Sequence, residues 1–308
     1  MLRALGLGDL LTGVPALRAL RRALPGHEVV LAAPAALTPL VDMARAADRL
    51  LDTTGLQPLR WSGPSPDLAV NLHGRGPQSH ALLHALRPGR LVAFGCRAAG
   101  HPGPAWRDDE HEVRRWCRLL REALGLDTDP DDLRLAEPPA PPPVPGAVVV
   151  HPGAAYPSRR WPADRFAAVA RRLRDTGYDV VVTGGPAEVP LAEDVARAAG
   201  LAPGCVLAGR TDLGRLAAQV AGAALVVCGD TGVAHLATAF GTPSVLLFGP
   251  VPPSRWGPPP RGPHAVIWHG RGVGDPWGTD VDPALLRVRT EEVVERALDL
   301  LSGAAPGR

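Results

Sequence analysis

Short apolar runs alternate with amphipathic stretches along most of the 308-residue chain. In the first half, residues 2–5, 28–32, 67–72 and 90–94 predict strands, and residues 16–24 and 110–124 predict helices. Leu17, Leu20 and Leu24 recur at helical spacing and would face a sheet. The alternation then restarts. Strands are predicted at 147–150, 179–183, 224–228 and 244–248, and helices at 163–176, 187–199, 213–221, 233–240 and 291–301. An unbroken apolar run such as 147–150 suits a strand buried on both faces. Residues 252–263, rich in Pro and Gly, read as a loop, and 273–283 read as irregular. The pattern predicts an α/β fold with parallel sheets.

The sharpest break is the proline-rich run between Glu137 and Gly146. Consecutive prolines neither continue a helix nor pair in a central strand, and they favour an extended spacer. The division is therefore a first domain at 1–137, a linker at 138–146 and a second domain at 147–308, with the last helix placed to pack back on the first domain. Two doubly wound domains imply a cleft between them. Ligands of such sheets bind beyond the carboxyl ends of the strands, so functional residues should follow strands closely.

Composition narrows the function. Hydrophobic residues make up 45% and charged residues 21%, ordinary for a globular chain. A net charge of +2 argues against nucleic acid or an anionic membrane as the main partner. Every one of the 33 basic residues is Arg. With abundant Ala, Pro and Gly, this reads as the base bias of a GC-rich genome, so an Arg here fills positions where relatives use Lys. Cys96, Cys117, Cys205 and Cys228 lie far apart without metal-ligand spacing and read as reduced thiols of a cytoplasmic protein. No apolar run approaches the roughly 18 residues of a transmembrane helix. Gly8, Asp9 and Gly13 interrupt the apolar start, which argues against a signal peptide. Peripheral membrane contact and oligomeric state stay open.

Five segments carry candidate chemistry. The first, Leu5 to Pro15, follows the first strand, and Gly6, Gly8 and Gly13 let a ligand approach the backbone. Leu11 stands where a dinucleotide fingerprint needs its third Gly, so a nicotinamide cofactor is disfavoured. Asp9 suits either a helix N-cap or catalysis. The second segment, Val150 to Pro162, has a small-residue turn at Gly153 and then Arg159 and Arg160, which suits phosphate or a solvated loop. The third, Val182 to Glu188, ends in a carboxylate fit for ribose hydroxyls or for the dipole of a first turn. The fourth, Val227 to His235, is the most specific. Asp230, Thr231 and Gly232 open a helix whose N-terminus suits a diphosphate, and Thr231 and His235 share one helix face. The fifth, Phe248 to Pro258, reads as a wall of the same site, with Trp256 either packing on a ligand or anchoring the loop.

Together, in order and at strand ends, these motifs resemble glycosyltransferase family 9, the heptosyltransferase family. The resemblance rests on Gly8-Asp9 with Pro15-Ala16-Leu17, His151-Pro152-Gly153, Arg160-Trp161-Pro162, Gly184-Gly185-Pro186, Asp230-Thr231-Gly232 through His235, and Phe248-Gly249-Pro250. It implies a GT-B fold: two Rossmann-like doubly wound domains facing across a cleft, the acceptor on the first and the sugar nucleotide on the second. It further implies transfer of a heptose from ADP-heptose, or of another sugar from its nucleoside diphosphate, to an acceptor hydroxyl. That transfer proceeds with inversion and without a metal or other cofactor. By resemblance Asp9 is the general base, with Gly8, Thr12 and Gly13 on the acceptor-side loop. Arg160 contacts phosphate beside Gly153, Glu188 holds the ribose, and Asp230, Thr231, Gly232 and His235 bind the diphosphate. Two features depart from the family: Arg160 where Lys is frequent, and a first strand starting at Met1, which is short or belongs to a chain whose true start lies upstream. A nucleotide-sugar epimerase and a non-catalytic nucleotide-sugar-binding protein are the rival readings.

Overall fold

In the first unit, Met1–Ala136, a parallel sheet is assembled around the opening residues of the chain. The computed structural model describes residues 1–303. The first unit's elements are α1 (Leu7–Ala23), β1 (Val30–Ala33), α2 (Thr38–Ala44), β2 (Arg49–Asp52), β3 (Leu68–Val70), α3 (Gln78–His84), β4 (Arg90–Val92) and α4 (Glu112–Leu124). β1 pairs with β2 and β3 with β4, both in parallel. Leu2 joins the two pairs. Its N–H donates to the Val70 carbonyl at 3.0 Å, and its carbonyl accepts from the Leu72 N–H at 3.0 Å. The Arg3 N–H donates to the Ala32 carbonyl at 2.9 Å.

The strand expected at 2–5 shrinks to two isolated bridges at Leu2, one to Ala32 and one to Asn71. The chain turns early, with the Leu5 N–H donating to the Arg3 carbonyl at 2.9 Å, because α1 begins at Leu7 rather than at Ala16. Glycine and proline read as helix breakers, yet α1 runs through both Gly13 and Pro15. An interior proline removes one N–H and with it one backbone hydrogen bond. The burial of Leu10, Leu11, Val14, Leu17 and Leu20 along the helix offsets that loss.

The second unit starts at Glu137. It contains β5 (Val148–His151), α5 (Ala163–Asp175), β6 (Val180–Val182), α6 (Val189–Ala199), α7 (Leu213–Ala221), β7 (Leu225–Gly229), α8 (Gly232–Phe240), β8 (Ser244–Phe248), α9 (Pro253–Trp256), β9 (His264–Trp268), α10 (Pro283–Arg287) and α11 (Thr290–Gly303). Its five strands pair in parallel in the order β6-β5-β7-β8-β9. Their runs of Val and Leu are buried because helices cover both faces. The order reverses between β5 and β7, and that switch point is where a sheet of this type opens a crevice at its carboxyl edge.

Two details depart from the sequence reading. The proline-rich segment is not a free spacer: Val144 exchanges two hydrogen bonds with the Gln219 side chain of α7, at 2.8 and 2.9 Å, and Pro142 packs on Gly222. Val293, Val294, Ala297 and Leu301 of α11 belong to the core of the second unit. The stretch 252–263 is not all loop, since it holds the single turn of α9, and β9 follows it as an edge strand. All four cysteines are free. Among the described residues no helix is long and apolar enough to cross a membrane.

Candidate functional site

The predicted residues gather at the carboxyl ends of the strands, as one cluster in each unit. In the first unit, Asp9 is not the N-cap of α1. Gly6 is, and Asp9 stands at the third helical position. Glycine has no side chain to cap with, so only half of a capping box forms, in which the Asp9 carboxylate accepts the Gly6 N–H at 3.3 Å. The other carboxylate oxygen lies 4.0 Å from the Arg3 guanidinium, and the Asp9 side chain keeps 30% of its surface exposed. Burial raises its pKa above the ordinary carboxylate value; the charge of Arg3 opposes this and that of Glu112 adds to it.

Arg3 is fully buried. It donates to the backbone carbonyls of Asp9 and Leu72, to Thr12 Oγ1 at 3.0 Å and to Glu112 Oε1 at 3.3 Å, and its guanidinium lies 4.9 Å from the Trp116 ring centre. Thr12 in turn donates to the Asp9 carbonyl at 3.0 Å. Gly13 is where the Arg3 side chain crosses α1: a Cβ there would sit 2.9 Å from Arg3 Cδ and Nε. Thr12 and Gly13 are therefore buried helix residues that frame Arg3, not members of an open loop, while Gly8 lies half-buried in the first turn. His73 follows β3, half-buried. Burial, and then the charge of Arg3, bring its pKa down to about 4, so its imidazole is neutral.

In the second unit, β5 ends at His151, whose Nδ1 meets Thr183 Oγ1 at 3.0 Å. Burial lowers the pKa of His151 against the opposing charge of Glu188. Glu188 leads into α6 and accepts the Gly185 N–H at 2.8 Å. Gly153 lies directly against its carboxylate, where any side chain would collide. His151, Gly153, Gly185 and Glu188, from two separate motifs, thus form one polar corner.

Beside it, β7 ends at Gly229, Asp230 follows, and α8 begins at Gly232. Asp230 is buried. Desolvation pushes its pKa up to about 6, against the pull of Arg159. Arg159 is the cation that faces it, with Nη1 4.0 Å from Asp230 Oδ2 and Nε donating to the Pro276 carbonyl at 3.2 Å. Arg160, singled out by its motif, instead spends its Nε on the Ala154 carbonyl at 2.9 Å. Thr231 is the N-cap of α8 but makes no side-chain cap bond. The leading N–H groups of a helix have no intrahelical acceptor, and they carry the positive end of its dipole. His235, one turn on, meets the Trp256 ring edge-to-face at 5.9 Å, so Trp256 anchors the loop after β8 to α8. The corner can thus offer backbone donors, guanidinium groups and a carboxylate acceptor to an anionic, hydroxyl-bearing ligand.

Comparison with known proteins adds the lineage. The sequence model of glycosyltransferase family 9 (heptosyltransferase) matches residues 103–270, more than half of the chain. The chain belongs to glycosyltransferase family 9. Lipooligosaccharide heptosyltransferase 2 of Haemophilus influenzae is 36% identical over 106 residues, covering 33% of this chain and 31% of that one. The match therefore spans about a third of that curated relative. In structure, this family 9 chain is similar to the glycosyl transferase family 9 protein of Veillonella parvula, with a TM-score of 0.79, 21% identity, and 98% and 96% of the two chains covered. It is also similar to the ADP-heptose lps heptosyltransferase II of Escherichia coli, with a TM-score of 0.76, 19% identity, and 98% of each chain covered. At such identities the likeness shows the fold, which is the GT-B fold of these enzymes.

Arg3, Glu112, His73 and the pairing of Arg159 with Asp230 escaped the sequence reading. An Arg inside the apolar run 2–5 was a usable signal, because a charged side chain in a central strand must find buried partners. Nothing in Arg159-Arg160 indicates which of two adjacent guanidiniums turns inward.

Proposed function

We propose that this family 9 chain is an inverting glycosyltransferase that moves a sugar, heptose from ADP-heptose, onto an acceptor hydroxyl, with Asp9 as the general base. The observation that carries this reading is the setting of Asp9. It is a partly exposed carboxylate at the first turn of α1, its pKa raised by burial, with one oxygen anchored on Gly6 and the other open toward solvent and Arg3. Such a group accepts a proton from a hydroxyl more readily than a free carboxylate does.

The reaction follows from the groups present. Asp9 takes the proton as the acceptor oxygen attacks the anomeric carbon. The nucleoside diphosphate departs from the opposite face through an oxocarbenium-like state. Its charge is met by the leading amides of α8 at Gly232, by Thr231 and His235, and by Arg159, with Arg160 beside it. In this reading those groups do the work that a metal performs elsewhere. Glu188, seated on Gly153, offers its free lone pairs to the ribose hydroxyls. Heptose and adenine come from the name of the E. coli structural relative, and free cysteines accord with a reducing, cytoplasmic setting.

The test is Asp9→Asn, assayed with ADP-heptose and candidate acceptors. Transfer should fall at least about 10³-fold while ADP binding, read by calorimetry, stays within a factor of two or so. Near-normal transfer would remove Asp9 from the role.

A further inference from the structure

We propose that Arg3, backed by Glu112, is the positioning residue of the Asp9 base: the pair fixes the backbone that carries the carboxylate and sets the charge it faces. This rests on the reading of Asp9 as the base. Arg3 grips α1 twice around that residue, directly at the Asp9 carbonyl and through Thr12, whose hydroxyl bonds the same carbonyl. A third bond runs to Leu72, beyond the end of β3, and a fourth to Glu112 on α4. A side chain serving only to fill the core would not need a guanidinium here. One serving only to neutralise Glu112 would not lie 4.0 Å from Asp9 Oδ1.

Glu112 is not devoted to Arg3 either. Its Oε1 also takes the Trp116 indole N–H at 2.8 Å, and its Oε2 takes Arg115. The charge of Arg3 is therefore divided between Glu112 and Asp9. The charged groups around the base are Arg3 on the opening segment and Glu112 with Arg115 behind it on α4, while neutral His73 after β3 is in the field of Arg3. Burial raises the Asp9 pKa, the charge of Arg3 pulls it down and that of Glu112 pushes it up, so the division of Arg3 between the two carboxylates tunes the basicity of Asp9.

The test reads Asp9 directly in the full-length protein. Carboxyl carbons of Asp are isotope-labelled, the Asp9 signal is assigned by its loss in Asp9→Asn, and its titration is followed by NMR. Arg3→Met should move the Asp9 midpoint up by about one pH unit or more, and Glu112→Gln should move it down. The acid limb of kcat/KM should move in the same two directions, with ADP affinity unchanged. Opposite shifts from two buried neighbours are not what a loosened core produces. Shifts of the same sign, or none, overturn the proposal. If Arg3→Met does not fold, Glu112→Gln decides alone: a fall in the midpoint supports the pair and anything else overturns it. The titration needs no transfer, so failure of the pair is separable from failure of the base, which Asp9→Asn reads by itself.

Discussion

Asp9 and Asp230 both have pKa values raised by burial, but the exposure of their carboxylates differs. Asp9 keeps nearly a third of its side chain open, whereas Asp230 is closed in and faces Arg159 at 4.0 Å. Asp230 therefore carries a stability signature. Its folded pKa is about 6 against an ordinary 3.8, so the folded state holds the proton more tightly than the unfolded state does. That contribution is complete below the unfolded value and is lost as pH rises through the folded one. Asp230→Asn should thus raise the melting temperature by a few degrees at pH 8, and the gain should vanish below about pH 4. Scanning calorimetry across that range checks it; a gain that persists at low pH would mean that packing, not charge, is responsible. The two arginines give a second residue-scale prediction. Arg159→Ala should weaken ADP binding by roughly tenfold or more, the value of a charge-assisted contact, while Arg160→Ala should cost less. Calorimetry of both variants with ADP decides between them, and a larger loss at Arg160 would restore the sequence-based choice.

Among the elements, α1 shows what local sequence rules can and cannot tell. Its apolar spacing from Leu17 onward was legible, but its first turns were not. Gly8, Gly13 and Pro15 each disfavour helix in isolation, and the reason for accepting them is tertiary. Gly13 makes the point testable. By propensity alone, Gly13→Ala should stabilise a helix interior by about 1 kcal/mol. In this fold the added methyl meets Arg3, which is pinned by four hydrogen bonds and cannot step aside. The variant should instead lose about 1–3 kcal/mol in chemical denaturation. A gain would show that Arg3 is free to move and would weaken its proposed role at Asp9. The strands of the second sheet were legible for the opposite reason. Runs such as Val148 to Val150 and Val180 to Val182 have one reading in a doubly covered sheet, and no tertiary contact had to overrule it.

For the molecule as a whole, two α/β units and a boundary at the prolines could be read from the alternation. The docking of that proline segment on α7 could not, because it depends on Gln219, a polar residue with no local signature. The same division holds for the candidate site. Residues that end strands could be located, whereas those that act from behind, Arg3 and Glu112, come from positions 109 apart in sequence. The nucleotide is the whole-molecule prediction. Calorimetry without added metal should show ADP binding at least about tenfold more tightly than UDP, GDP or dTDP. Selective binding of another diphosphate would keep glycosyl transfer and discard heptose.

The absence of lysine, read first as a trait of the genome, has a different weight at different depths of this fold. Exposed arginines such as Arg22 and Arg197 hold ordinary ion pairs that an ammonium would serve nearly as well. At Arg3 the donors leave one planar group toward four acceptors on three sides, and an ammonium with three donors on a flexible stem cannot span them. A library that recodes the chain toward lysine should therefore tolerate the exchange across the surface and select against it at residue 3. Base bias would then have supplied, without selection, the one side chain that this buried position requires.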